Sequence, residues 1–180
     1  MQLGSHNSVT GYKGKGIVSK LVTIFSRCQL KKLDEQYLVG VRLFDIRVKL
    51  DSKTNKYIGA HGLWKCNLTL EDILDIINNI STEQSKSDVM ITLEKGEVTD
   101  EFINYINDLK VNYKFIEIVN INQKKPQWQS IVVYKRIKLH QCYVNLDGST
   151  WHTYIPIPWL WNKIYRFDTV KDAYNVYDFI

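Results

Sequence analysis

The sequence predicts an α/β fold with mainly parallel strands, and three observations lead there. Short runs of strand formers alternate with segments whose apolar residues recur at helical spacing. Several of the strand runs are apolar almost throughout, as strands covered on both faces are. His6, Asp45, Arg47, His61, Glu94 and Arg136 all fall at expected strand ends, where α/β folds place their ligands.

The elements follow in order. A short strand and a polar loop open the chain over residues 1–8. A helix is expected over 17–27, where Ile17, Leu21, Ile24 and Phe25 share a helical spacing, and a shorter helical turn over 33–39. Gly40 then feeds the strand formers Val41, Leu43, Ile46, Val48 and Leu50. Within that strand Asp45 and Arg47 stand two residues apart, so alternation sends both to one face. A buried acid and guanidinium need each other or a ligand.

Residues 51–56 read as a polar turn and 57–62 as a returning strand that ends on His61. Thr69 and Asp72 have the spacing of a capping box, ahead of a stripe of Leu70, Ile73, Leu74, Ile77 and Ile80. A strand over 88–94 ends in Glu94. Thr99 can cap a helix whose apolar face is Phe102, Ile103, Ile106 and Leu109. Strands are expected over 114–118 and 130–137. The tail is less regular, with Trp151, Trp159, Trp161 and two prolines before a helix over 169–177.

No repeat, low-complexity tract or linker interrupts the 180 residues, so a single domain over 1–180 is expected. Apolar residues make up 44% of the chain, enough for a sizeable core. The net charge of +5 favours an anionic partner: a phosphate-bearing substrate, an acidic membrane surface or nucleic acid. No groove-reading helix or basic-aromatic array supports the last of these. The three widely spaced cysteines form neither a metal-type pair nor a disulfide framework, which suits a reducing compartment. With no signal segment and no apolar run long enough to span a bilayer, an intracellular, cytoplasmic address is expected. Abundant Lys, Asn, Ile and Tyr hint at an AT-rich genome, a viral one included.

Two histidines and an arginine suit acid–base displacement at phosphorus. One imidazole removes a proton from a hydroxyl, the other supplies one to the leaving oxygen, and the guanidinium neutralises the phosphoryl oxygens. Each histidine alone is also compatible with an ordinary loop or core position.

Ser5-His6-Asn7-Ser8, Gly40-Val41-Arg42-Leu43-Phe44-Asp45-Ile46-Arg47, His61-Gly62 and Ile91-Thr92-Leu93-Glu94 resemble, in order and spacing, the X domain of phosphatidylinositol-specific phospholipase C. The Asp-Ile-Arg of the second stretch is similar to the bacterial, metal-independent branch. The resemblance implies a distorted (β/α) barrel of TIM type that cleaves phosphatidylinositol through a cyclic inositol phosphate. It implies His6 as general base, His61 as general acid, and Asp45 with Arg47 as the catalytic pair at phosphate. Asn7, Glu94, Arg136, Asp172 and Tyr174 match substrate contacts, and one of Trp151, Trp159 and Trp161 matches the rim. The implied partners are a phospholipid or inositol-phosphate substrate and the surface of an anionic membrane.

Two departures stand out. Asn7 and Glu94 are residues of the calcium-dependent branch, so calcium at Asn7, Asp45 and Glu94 is the alternative to a metal-free site. The length is also below the roughly 200 residues of a closed barrel. An open or incomplete barrel is therefore expected, or one completed by a second copy or another protein. The alternative function is a catalytically inactive relative serving as a phosphoinositide-binding or assembly subunit.

Overall fold

The computed structural model describes residues 2–123, 137–140 and 174–177. The elements are β1 (Gln2–Ser5), a 3-10 turn (Ser8–Gly11), α1 (Gly16–Ser26), α2 (Leu33–Leu38), β2 (Val41–Asp51), β3 (Lys56–His61) and β4 (Trp64–Thr69). They continue as α3 (Leu70–Ile80), β5 (Ser87–Leu93), α4 (Asp100–Lys110), β6 (Ile116–Gln123), β7 (Ile137–His140) and β8 (Tyr174–Tyr177).

Six strands run parallel. From β1 the sheet extends through β2 and β5 to β6 on one side, and through β8 to β7 on the other. The first strand thus pairs with both the second and the eighth, the cyclic order of a TIM-type barrel rather than of an open doubly wound sheet. Among the described residues β6 and β7 are not paired with each other.

Both faces of β2 are buried, and they carry different chemistry. Phe44, Ile46 and Val48 face outward into the main core with Val89, Ile91 and Leu93 of β5. Leu70, Ile73, Leu74 and Ile77 of α3 and Phe102 and Ile106 of α4 cover them. Leu43, Asp45 and Arg47 face the barrel interior, level with Asp88, Met90 and Thr92. The helices start where the sequence marks them. Thr69 Oγ1 accepts from the Asp72 N–H at 3.2 Å and Asp72 Oδ2 from the Thr69 N–H at 2.8 Å, a capping box. Thr99 Oγ1 caps α4 through the Phe102 N–H at 3.3 Å.

Two expectations need correction, and one strand was not foreseen. The segment over 169–177 contains no helix among its described residues. Tyr174–Tyr177 is a strand, because the free edge of β1 gives its strand-forming residues a partner. The strand β4 carried no legible signal. It forms because Gly62, at φ +60°, turns the chain tightly back after His61. The helix expected over 17–27 is present as α1, with Ile17 77% exposed and Leu21 71%. Asp45 and Arg47 also do not end their strand: β2 continues to Asp51, and this overhang pairs antiparallel with β3.

Candidate functional site

The site lies at the mouth of the barrel. His6 follows β1 directly, and Asn7 next to it takes the left-handed conformation (φ 46°, ψ 53°), which Asn tolerates better than most residues. That turn lets the Asn7 N–H donate to Asp45 Oδ2 at 3.1 Å. Arg47 Nε donates to the same oxygen at 3.3 Å. Thus one carboxylate fixes both the loop that carries His6 and the guanidinium beside it.

His61 reaches this mouth by an indirect route. β3 runs antiparallel to the overhang of β2, with Gly59 opposite Val48, so its last residue comes back down to the level of Arg47. Glu94 arrives from the end of β5, where its N–H is bonded to the Val48 carbonyl at 2.8 Å. Its Oε1 accepts from Arg47 Nη1 at 3.4 Å and its Oε2 from the Gly62 N–H at 3.3 Å. His6, Asn7, Asp45, Arg47, His61 and Glu94 are therefore together. Arg136 and Asp172 lie outside the described residues, as do Trp151, Trp159 and Trp161; Tyr174 is described as backbone of β8.

The hydrogen bonds assign the imidazole nitrogens. Arg47 Nη2 lies 2.5 Å from His6 Nε2. A guanidinium only donates, so this nitrogen presents its lone pair. His61 Nδ1–H donates to the carbonyl of Ser26, the last residue of α1, at 2.7 Å. That bond leaves Nε2 of His61 facing the mouth. The Asn7 carboxamide nitrogen is 3.4 Å from each Nε2, so the two ring nitrogens share one neighbour.

Charge in the site is unevenly held. Burial works against the Arg47 guanidinium, but Asp45 and Glu94 outweigh it and hold it protonated more firmly than usual. Burial and then the Arg47 charge push His61 down to about 4, with Glu94 and the Ser26 carbonyl pulling the other way. His61 is thus neutral at pH 7 in the free protein. The calcium alternative does not fit this donor set: the guanidinium bridges the Asp45 and Glu94 carboxylates and puts its own positive charge where the ion would lie. Among the described residues no group of three His, Cys, Asp or Glu side chains is arranged to hold a metal.

Sequence reasoning missed Ser26, Cys28, Thr10 and Gln29. Cys28 Sγ accepts from Asn7 Nδ2 at 3.3 Å. Thr10 Oγ1 accepts from the N–H groups of Cys28 and Gln29, and Gln29 Nε2 donates to the His6 carbonyl at 3.0 Å. These bonds latch the segment after α1 onto the His6 turn. Nothing in their spacing announced it, since three of these four bonds use a backbone group.

Fold and mouth together define an α/β barrel-like protein with two histidines and one arginine at the ends and overhangs of its strands. The chain belongs to the phosphatidylinositol-specific phospholipase C, X domain family, whose model matches residues 5–102, more than half of its length. Similar solved structures are bacterial. The phosphatidylinositol-specific phospholipase C of Listeria monocytogenes is 21% identical over 67% of this chain and 50% of its own, with TM-score 0.47. A pentafluoro-phenylalanine variant of the Staphylococcus aureus enzyme is 16% identical over 97% of this chain and 70% of its own, with TM-score 0.58. A second Staphylococcus aureus variant is 17% identical over 98% and 70%, with TM-score 0.56. At these identities the likeness is one of fold. The chain spans half the length of the Listeria protein. No curated protein matches the sequence.

Proposed function

We propose that the chain, as one unit over residues 1–180, is a phosphoric diester lyase acting on phosphatidylinositol-type lipids without a metal ion. The observation that carries this reading is the pair of Nε2 nitrogens on either side of one carboxamide, with the Arg47 guanidinium on the first of them. His6 Nε2 takes the proton of the inositol 2-hydroxyl, and that oxygen attacks phosphorus. The bond from phosphorus to the glycerol oxygen breaks, His61 Nε2–H protonates the departing diacylglycerol, and a cyclic inositol phosphate remains.

Arg47 has two tasks in this sequence. In the free protein it caps the lone pair of the base. An incoming phosphodiester draws the guanidinium onto its own oxygens, which frees His6 and neutralises charge in the transition state. The same anion favours the imidazolium of His61 and so restores the acid. Asp45 orients Arg47 and the Asn7 turn, while Glu94 holds Arg47 and the turn after His61. Arg136, Asp172 and Tyr174 are the head-group contacts by family likeness.

A lipid surface suits the flank of the site. Ile17, Val18 and Leu21 of α1 are exposed, and residues 1–33 carry six Lys and Arg and no acidic residue. Such a face matches the surface of an anionic bilayer. Among the described residues no helix is long and apolar enough to cross a membrane.

The test is release of inositol phosphate from phosphatidylinositol vesicles in excess chelator. Activity in wild type that is lost in His6→Ala and His61→Ala supports the reading. Vesicle binding without turnover would instead identify a phosphoinositide-binding relative.

A further inference from the structure

The interior face of β2 continues beyond Arg47. Alternation puts Lys49 on that same face, about 7 Å farther out along the overhang. Lys49 stands opposite Ile58 of β3, and Ala60, on the same face of β3, stands opposite Lys65 of β4. Lys65 therefore shares this face two strands away. Lys95 joins them by following Glu94, whose N–H is bonded to the Val48 carbonyl and whose Oε2 accepts from the Gly62 N–H. Lys49 Nζ donates to the carbonyl of that same Gly62 at 3.3 Å. Three lysines thus gather around the turn that follows His61.

Their charge is not balanced locally. The nearby carboxylates are engaged elsewhere, Glu94 with Arg47 at 3.4 Å and Asp51 with Lys15 at 3.1 Å. Among the described residues no Asp or Glu forms an ion pair with Lys49, Lys65 or Lys95. Burial first, then the charge of Lys65 and also that of Lys95, makes Lys49 easier to deprotonate than a free lysine. An anion placed among the three relieves that repulsion.

Position identifies the anion. Lys49 holds the turn after His61, the proposed acid, so the cluster lies on the leaving-group side of the phosphodiester. Diacylglycerol itself carries no charge. Lys65 is also tied to α1: its N–H donates to Ser19 Oγ at 3.1 Å, and its carbonyl accepts from the Lys15 N–H at 2.6 Å. The exposed Ile17, Val18 and Leu21 belong to this same helix. We propose that Lys49, Lys65 and Lys95 form a second anion subsite, which holds the phosphate of a non-substrate anionic phospholipid lying beside the substrate in the bilayer. The neighbour's phosphate lies among the ammonium groups and keeps the mouth over anionic lipid. The subsite serves affinity for the surface rather than the chemistry, so its effect falls on KM. This rests on the reading of the chain as a lyase working at a lipid surface.

The experiment measures turnover of a fixed amount of phosphatidylinositol in phosphatidylcholine vesicles with and without phosphatidylglycerol. Sedimentation of the whole chain with the same vesicles lacking phosphatidylinositol runs beside it. Phosphatidylglycerol should lower the apparent KM of wild type about twentyfold. Lys49→Gln/Lys65→Gln should lose most of that gain with little change in kcat. Lys95→Gln, at an exposed position, should lose about fivefold and decides the matter if the double variant does not fold. Lys13→Gln/Lys20→Gln, the same charge change on and beside α1, should lose about twofold at most. Equal losses in the two double variants would reduce the effect to diffuse surface charge and overturn the proposal. Stimulation reproduced by inorganic phosphate without phosphatidylglycerol would overturn it too, as would a lysine-dependent preference for phosphatidylinositol 4-phosphate with no response to phosphatidylglycerol. Lysine-dependent sedimentation with no turnover in any protein would uphold the subsite and reject the lyase reading. Turnover that ignores phosphatidylglycerol would do the reverse.

Discussion

Arg47 Nη2 donates to Nε2 of His6 across 2.5 Å, so in the free protein the guanidinium occupies the lone pair of the proposed base. The contact gives Arg47→Lys a definite expectation. An ammonium can neither bridge two phosphate oxygens nor stay aligned with Asp45, so kcat on phosphatidylinositol should fall about 10²–10³-fold. A steady-state assay retaining wild-type kcat would remove the guanidinium from the chemistry.

The depressed basicity of His61 has a consequence for folding. Its pKa is about 4 in the folded protein against 6.5 for the free side chain. The unfolded chain therefore binds the proton first, and stability is lost as pH falls from about 6.5 toward 4. Urea unfolding should show His61→Gln losing roughly 2 kcal/mol less than wild type over that interval. Parallel pH dependences in the two proteins would contradict the assigned environment.

Glu94 joins Arg47 to the turn after His61 through its two oxygens. Glu94→Gln removes a negative charge near the phosphate position and slackens the turn. Anion binding should tighten while alignment of His61 worsens, so KM and kcat should both fall, each by a few-fold. Unchanged values of both constants would count against this double role.

The core offers a contrast that is independent of function. Ile91 is fully buried between β2 and the helices, whereas Leu38 is 82% exposed. Ile91→Ala should cost about 2–5 kcal/mol and Leu38→Ala within about 0.5 kcal/mol, read from denaturant midpoints. Thr69→Ala, which deletes the α3 cap, should fall between them at about 1 kcal/mol.

Local signals in the sequence carried much of this fold. Capping residues placed α3 and α4, and the apolar run around Asp45 and Arg47 placed β2 and put both charges on one face. What escaped was set by partners distant in the chain. Tyr174–Tyr177 is a strand because β1 offers an edge, and β4 exists because Gly62 reverses the chain. The same holds at the mouth. His6, Asp45, Arg47, His61 and Glu94 were recognisable by residue type and family spacing. The Ser26 carbonyl and the latch through Thr10 and Gln29 were not, since backbone N–H and carbonyl groups have no signature in a sequence.

Phosphorus-31 NMR of phosphatidylinositol turnover in excess chelator tests the pair of imidazoles most directly. Wild type should build up the five-membered cyclic phosphodiester before any open monoester, and His6→Ala and His61→Ala should leave the lipid resonance unchanged. A cyclic product formed at the wild-type rate without His6, or a lipid signal untouched by wild type, would contradict it.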